Sequence, residues 1–205
     1  MNSIAVEECP NCGAPAGPSA RNCTHCKAEF FVKSLAYAGS LQGPAVQKYV
    51  SFYKGLLRAK DDDGESVMGL GICYLQLKLF ALATKNFERA VEIIPEQADV
   101  YYYFALSLIG GRALRTLRDS EISRILEYLN TAVQLDGSEA KYLFLGAAIR
   151  ADYHKTNCLL IPPPGVEGLL TQALSARRVP AELERLMQSV PIRNQLVRQC
   201  IEHCL

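Results

Sequence analysis

The chain is expected to be mainly α: a short array of packed helices, with a small cysteine-rich module before it and capping helices after it. Three observations carry this. Apolar residues make up 49% of the 205 residues, yet no long Val- and Thr-rich run alternates at period two, so a large sheet is not expected. Apolar side chains recur instead at three- and four-residue intervals, as in Val46, Tyr49, Val50, Tyr53, Leu56 and Leu57. Finally, four of the eight cysteines form two Cys-x-x-Cys pairs close to the N-terminus. The formal net charge is +1 with 21% charged residues, which removes disordered, collagen-like and strongly nucleic-acid-seeking classes.

Residues 9–26 read CPNCGAPAGPSARNCTHC: Cys9 and Cys12, then ten intervening residues, then Cys23 and Cys26. Two such turns can wrap one tetrahedral ion, each pointing its thiolates inward and giving backbone N–H groups to sulfur. The segment resembles a zinc ribbon of the Cys-Pro-x-Cys-Gly kind. Gly13 can take the positive φ needed after Cys12, whereas Lys27 stands where many ribbons have glycine. Soft thiolate ligation fits one structural zinc, although spacing alone does not separate zinc from iron, and two disulfides are a further alternative. Four thiolates leave no open coordination position, so the metal should hold the fold rather than perform hydrolysis. His25 is expected to be exposed. Losing a ligand such as Cys9 is expected to disorder only about the first 35 residues, because ligation is what holds a module this poor in large apolar residues.

Phe30, Phe31, Val32, Leu35 and Tyr37 are expected to form a ribbon strand or a joint onto the helices. A break follows at 39–44, and then a helix over 45–60 ended by Asp61-Asp62-Asp63-Gly64, an acidic turn near the next helix's positive end. Residues 70–95 (LGICYLQLKLFALATKNFERAVEIIP) are the centre of the chain. Gly71 and Ala83 are small enough for two helices to approach closely, and Tyr74, Phe87 and Ala90 can fill the seam.

With Leu70, Gly71, Tyr74, Ala83, Phe87, Ala90 and Pro95 in order, this stretch resembles one full tetratricopeptide repeat. A second unit starts at 98–109, with Ala105 standing 34 residues after Gly71. Its Leu129 and Ala132 match Phe87 and Ala90 but come about eight residues late for the repeat length, so an insertion lies within 110–124. That insertion carries Arg112, Arg115, Arg118 and Arg124, read as a solvated helical face rather than a phosphate site. A third unit begins at 138–151 with Leu145-Gly146, and no second helix there matches the signature. Pro162-Pro163-Pro164-Gly165 then acts as a stiff spacer, followed by short helices at 166–178, 180–190 and 191–205. Pro180 and Pro191 suit first helical turns. The expected division is 1–38 (zinc ribbon and joint), 44–161 (repeats) and 165–205 (C-terminal cap or hairpin).

The chain contains no phosphate-cradling Gly-rich loop, no nucleophile elbow and no His-Glu-x-x-His, and its three histidines are scattered, so an enzyme is not expected. Cys200-x-x-His203-Cys204 is an incomplete ligand set, and Cys73 is expected to be a buried small hydrophobe. Residues 1–12 lack the basic and apolar regions of a secretory signal, and paired Cys-x-x-Cys spacing indicates metal rather than disulfides, so a cytoplasmic location is expected. No membrane span is expected.

The repeat resemblance implies a protein–protein scaffold whose inner face holds a partner segment. By the family's register that face carries Met68, Ile72 and Leu75, then Tyr102, Leu106 and Ile109. It lacks the Lys and Asn of repeats that clamp acidic tails, so the implied partner is an apolar or amphipathic helix. A partner, a second copy of the chain, or its own residues 166–205 could cover such a face. The leading expectation is therefore a non-enzymatic adaptor with a zinc ribbon as second contact module. The competing one is nucleic-acid binding through the ribbon. Three basic residues against three acidic ones over 1–33, and no stacking aromatic between the knuckles, weigh against it. Redox sensing by the thiolates is a third class.

Overall fold

A computed structural model describes residues 6–17, 20–41 and 44–205. Among these the chain is mainly α, with ten α-helices and no strand. Isolated antiparallel bridges join Glu8 to Pro15 and Asn22 to Glu29, and a parallel one joins Glu139 to Arg177. The chain divides into two compact units, Met1–Ile94 and Pro95–Leu205. This boundary falls inside the segment 44–161 that the repeat resemblance marks as continuous.

The first unit holds α1 (Leu35–Ser40), α2 (Ala45–Ala59), α3 (Gly64–Gln76) and α4 (Phe80–Ile93). The aromatic segment at 30–37 is a joint that turns into a helix, not a strand. The Ser34 side chain accepts from the Tyr37 N–H at 3.1 Å and so satisfies a donor that a starting helix leaves free. The break expected across 39–44 starts later than that, since Gly39 lies within α1; Gln42 and Gly43 fall outside the described residues. Asp63 caps α3, its carboxylate accepting from the Ser66 N–H at 3.1 Å, which accounts for the acidic turn.

Helix α3 is buried over Gly64 and 66–75 and packs against α1, α2 and α4. Its seam with α4 follows the size pattern in the sequence. A Cβ on Gly71 would lie 2.8 Å from Phe87 Cε1, so only glycine lets that ring close. Ala83, Phe87 and Ala90 are fully buried, and the Phe87 ring alone accounts for roughly 1.5–3 kcal/mol of transfer free energy.

The second unit holds α5 (Ala98–Ile109), α6 (Asp119–Leu135), α7 (Ala140–Ile149), α8 (Val166–Ser175), α9 (Pro180–Ser189) and α10 (Gln195–Glu202). α5 packs on α6, with Ala105, Leu129 and Ala132 buried. The insertion between them is ordered. Gly110 and Gly111 take positive φ to end α5, and a 3₁₀ turn (Leu114–Thr116) then buries Leu114 and Leu117. Its arginines are largely engaged within the unit. Arg112 and Arg118 pair with Glu121 at 3.0 and 3.1 Å, and Arg124 lies over the Phe104 and Tyr128 rings.

The third pair differs from the expectation. α8, assigned from sequence to a separate cap, packs against α7 as that helix's partner. A π-helical stretch (Arg150–Lys155) and the proline segment delay it, which is why no matching second helix follows Gly146 directly. Leu169 stands 3.4 Å from where a Gly146 Cβ would be, and Leu170 and Ala173 are buried. α9 and α10 also pack on α7. Pro180 opens α9 as expected, but Pro191 does not open α10. That helix starts at Gln195, where the Asn194 side chain accepts from the Val197 N–H at 3.1 Å. No helix among the described residues is long and apolar enough to cross a membrane.

Candidate metal centre

The two Cys-x-x-Cys segments fold into two copies of one turn. In the first, the Gly13 N–H donates to Cys9 O and the Cys9 N–H to Ala14 O, both at 2.8 Å. In the second, the Lys27 N–H donates to Cys23 O at 3.0 Å and the Cys23 N–H to Ala28 O at 2.8 Å. Gly13 has φ +76° and Lys27 φ +63°. Lysine thus takes the left-handed position that ribbons give to glycine, so the departure seen in the sequence leaves the turn intact.

These turns bring four sulfurs within 4.8 Å of one another. Cys9 Sγ lies 3.6 Å from Cys26 Sγ, and Cys12 Sγ lies 3.6 Å from Cys23 Sγ. All four are free thiols, and a disulfide would need about 2.05 Å. Tetrahedral ligation at about 2.3 Å per bond places sulfurs about 3.8 Å apart, so the cluster fits a metal ion. Cys23 Sγ accepts the Cys26 N–H at 3.5 Å, and Asn11 Nδ2 donates to Cys26 Sγ at 3.6 Å. Burial pushes the Cys9 thiol up to about 12, while the Ala28 N–H brings Cys26 down to about 6. The Cys26 N–H, 3.5 Å from Cys23 Sγ, lowers Cys23 as well. The knuckles therefore favour thiolate at some positions by themselves, and a cation would complete the set. His25 is exposed and outside the cluster, as expected.

The module is small. Its core comprises Cys9, Cys23, Ala28 and Phe30, with Val6, Ala14, Ala16, Ala20 and Phe31 partly buried against it. Hydrogen bonds tie it to α1 and α2. The Glu29 N–H donates to Tyr37 Oη at 2.8 Å, Tyr49 Oη donates to Glu29 O, and the Val32 N–H donates to Tyr53 Oη at 2.6 Å. Lys48 Nζ donates to Asn11 O, inside the first knuckle, at 2.8 Å. Nothing in the sequence pattern announces these links, which join residues 8 to 37 positions apart.

The six positions expected to line an inner face are all buried: Met68, Ile72 and Leu75 on α3, and Tyr102, Leu106 and Ile109 on α5. Tyr102 meets Tyr103 edge-on and Tyr142 at a tilt, with Lys141 Nζ 5.2 Å from its ring centre. Around that lysine the fold builds a charge cluster absent from the sequence reading. Lys141, only 6% exposed, lies 2.7 Å from Asp99 and 3.4 Å from Glu182, and Tyr103 Oη donates to Glu182 at 3.0 Å. The available signal was a single lysine inside the otherwise apolar AKYLFLGAAI. Cys73 is buried as expected, and burial pushes its thiol up to about 12. Cys200, His203 and Cys204 form no metal-like cluster among the described residues.

No protein-family model matches this chain, and a search of curated proteins also finds no match. The likeness to tetratricopeptide repeats and zinc ribbons therefore rests on its own residues.

Proposed function

We propose that the chain is a non-enzymatic adaptor: helix pairs of the tetratricopeptide kind, fused to a structural zinc centre held by Cys9, Cys12, Cys23 and Cys26. The observation that carries the reading is the recurrence of one seam. Gly71 with Phe87 and Ala90, Ala105 with Leu129 and Ala132, and Gly146 with Leu170 and Ala173 repeat the same order: a small residue on one helix, then a large residue and Ala three positions later on the next. Gly71, Phe87, Ala90, Ala105, Leu129, Ala132, Leu170 and Ala173 are all buried. Helix pairs that each bury one face against a neighbour are the physical basis of repeat scaffolds. Zinc is the ion assigned because a closed four-thiolate shell suits a metal used for folding.

On this reading the partner is an apolar or amphipathic helix, and it reaches the inner positions only where their covering helices yield. Affinity capture of the full chain from native lysate, with and without nuclease, tests the function when read by mass spectrometry alongside metal analysis. The expected result is one zinc per chain and a defined protein partner that survives nuclease. Recovery of nucleic acid, with proteins lost on nuclease treatment, would overturn the adaptor reading.

A further inference from the structure

We infer that metal occupancy fastens α1 and α2 onto α3, so that the metal centre governs the first helical unit rather than only its own loops. This rests on the metal reading above and replaces the expectation of an autonomous ribbon. The carriers are three tyrosines. Tyr49 and Tyr53 have no exposed surface, and their hydroxyls are tied to Glu29 O and the Val32 N–H, three and six residues beyond Cys26. Tyr37, on α1, shares a hydrogen bond with Tyr49 at 3.1 Å and accepts the Glu29 N–H. On its other side Tyr53 meets α3 so closely that a Cβ on Gly69 would lie 2.5 Å from its Cζ and Oη. One chain of contacts thus runs from Cys26, through the backbone at 29–32, to the buried phenols and then to the α3 backbone.

The module cannot hold that backbone by itself, since its core is four buried residues and a few half-buried ones. Released, it would take the Val32 N–H from the buried Tyr53 hydroxyl and Glu29 O from Tyr49, leaving Tyr49 its bond to Tyr37, and buried polar groups that lose partners are costly. Helix α2 then loosens, and α3 loses part of its cover. Coupling of this kind is reciprocal: what metal does for the helices, the helices do for metal.

Metal-loaded full-length protein, stripped with excess chelator and followed by amide hydrogen exchange, tests this. Protection in α1, α2 and α3 should fall by about fivefold or more, the lower end of usual couplings, with peptides from α5 and α7 unchanged. Loss confined to residues 6–33, or metal loss with no change in exchange, would overturn the proposal. The reverse direction needs no chelated state. Tyr49→Phe and Tyr53→Phe should weaken metal binding by about 5- to 150-fold in competition with a chromophoric chelator, whereas Tyr128→Phe should not. Unchanged affinity in both variants would also overturn it. A chain that takes up no metal at all would overturn the metal reading itself, an outcome distinct from intact binding without coupling.

Discussion

Replacing Gly69 by alanine should destabilise the first helical unit, although the same change at Gly55 should stabilise it. Both glycines lie inside helices, Gly55 in α2 and Gly69 in α3, so propensity alone favours alanine by about 1 kcal/mol at either place. The surroundings decide the sign. At Gly55 a Cβ meets nothing within 4 Å. At Gly69 it would lie 2.5 Å from Tyr53 Cζ and Oη and 3.0 Å from Cε1. The ring cannot swing aside, because it is buried and its hydroxyl holds the Val32 N–H at 2.6 Å. Overpacking costs about 1–3 kcal/mol, and disturbing a buried hydrogen bond costs about 1–3 kcal/mol more. Less the propensity gain of about 1 kcal/mol, Gly69→Ala should cost about 1–5 kcal/mol, with a centre of about 3 kcal/mol. For a unit of this size each kcal/mol moves the melting midpoint by about 4–8 °C, so the central cost of about 3 kcal/mol gives a drop of about 12–24 °C against a rise of a few degrees for Gly55→Ala. Thermal melting of metal-loaded variants, with exchange of α2 and α3 peptides as the local readout, measures both. A neutral or stabilising Gly69→Ala at full metal content would refute the close-approach argument.

Two further outcomes concern the second unit. Lys141→Met leaves the Asp99 and Glu182 carboxylates without their cation, and removing one partner from a buried ion pair typically costs about 3–5 kcal/mol. The double variant Lys141→Met with Glu182→Leu should recover part of this in urea denaturation; a double variant less stable than the single one would sink the idea. Hydrogen bonds from the Arg118 backbone N–H, then from the Arg118 and Arg112 guanidiniums, lower Glu121 from an ordinary 4.5 to about 2. A carboxyl depressed in the folded state contributes stability that is present above its unfolded value and lost as pH falls toward its folded one. Stability should therefore decline from about pH 4.5 to about pH 2, and Glu121→Gln should flatten that part of the acid limb. An unchanged acid limb would show that other carboxyls govern it.

The parts of this fold that could be read from sequence are those whose partners lie close along the chain or whose chemistry is unusual. Gly71, Phe87 and Ala90 meet across one short turn, so their sizes at helical spacing already describe the seam. Four cysteines in two pairs mark the cluster that could hold a metal ion, because few other uses require that spacing. The helix paired with α7 was missed for a physical reason. Pro162-Pro163-Pro164-Gly165 stops a helix wherever it occurs, and periodicity cannot tell a spacer between domains from a long turn within a pair. Pro191 misled in a related way: its ring suits a first helical turn, but Asn194 supplies the cap that sets where α10 begins.

The expected inner face shows the limit most clearly. Repeat register can assign Met68, Ile72, Leu75, Tyr102, Leu106 and Ile109 to one side of their helices, but register does not say what else lies there. What covers Tyr102 depends on Lys141 and Glu182, which stand 41 residues apart and meet only after the fold forms. Glu182 and Glu184 stand two apart on one helix, and residues so spaced do not share a face. That same geometry separates them in the structure: Glu182 turns inward to Lys141, while Glu184 accepts from Gln188 Nε2 at 3.1 Å on the exposed side. Burying a carboxylate is costly without a cation, so the depth of Glu182 is set by Lys141 and the depth of Lys141 by Asp99. Each charge is legible only through the others. For that reason an apolar stripe in a repeat sequence is evidence for a packed face before it is evidence for an open one.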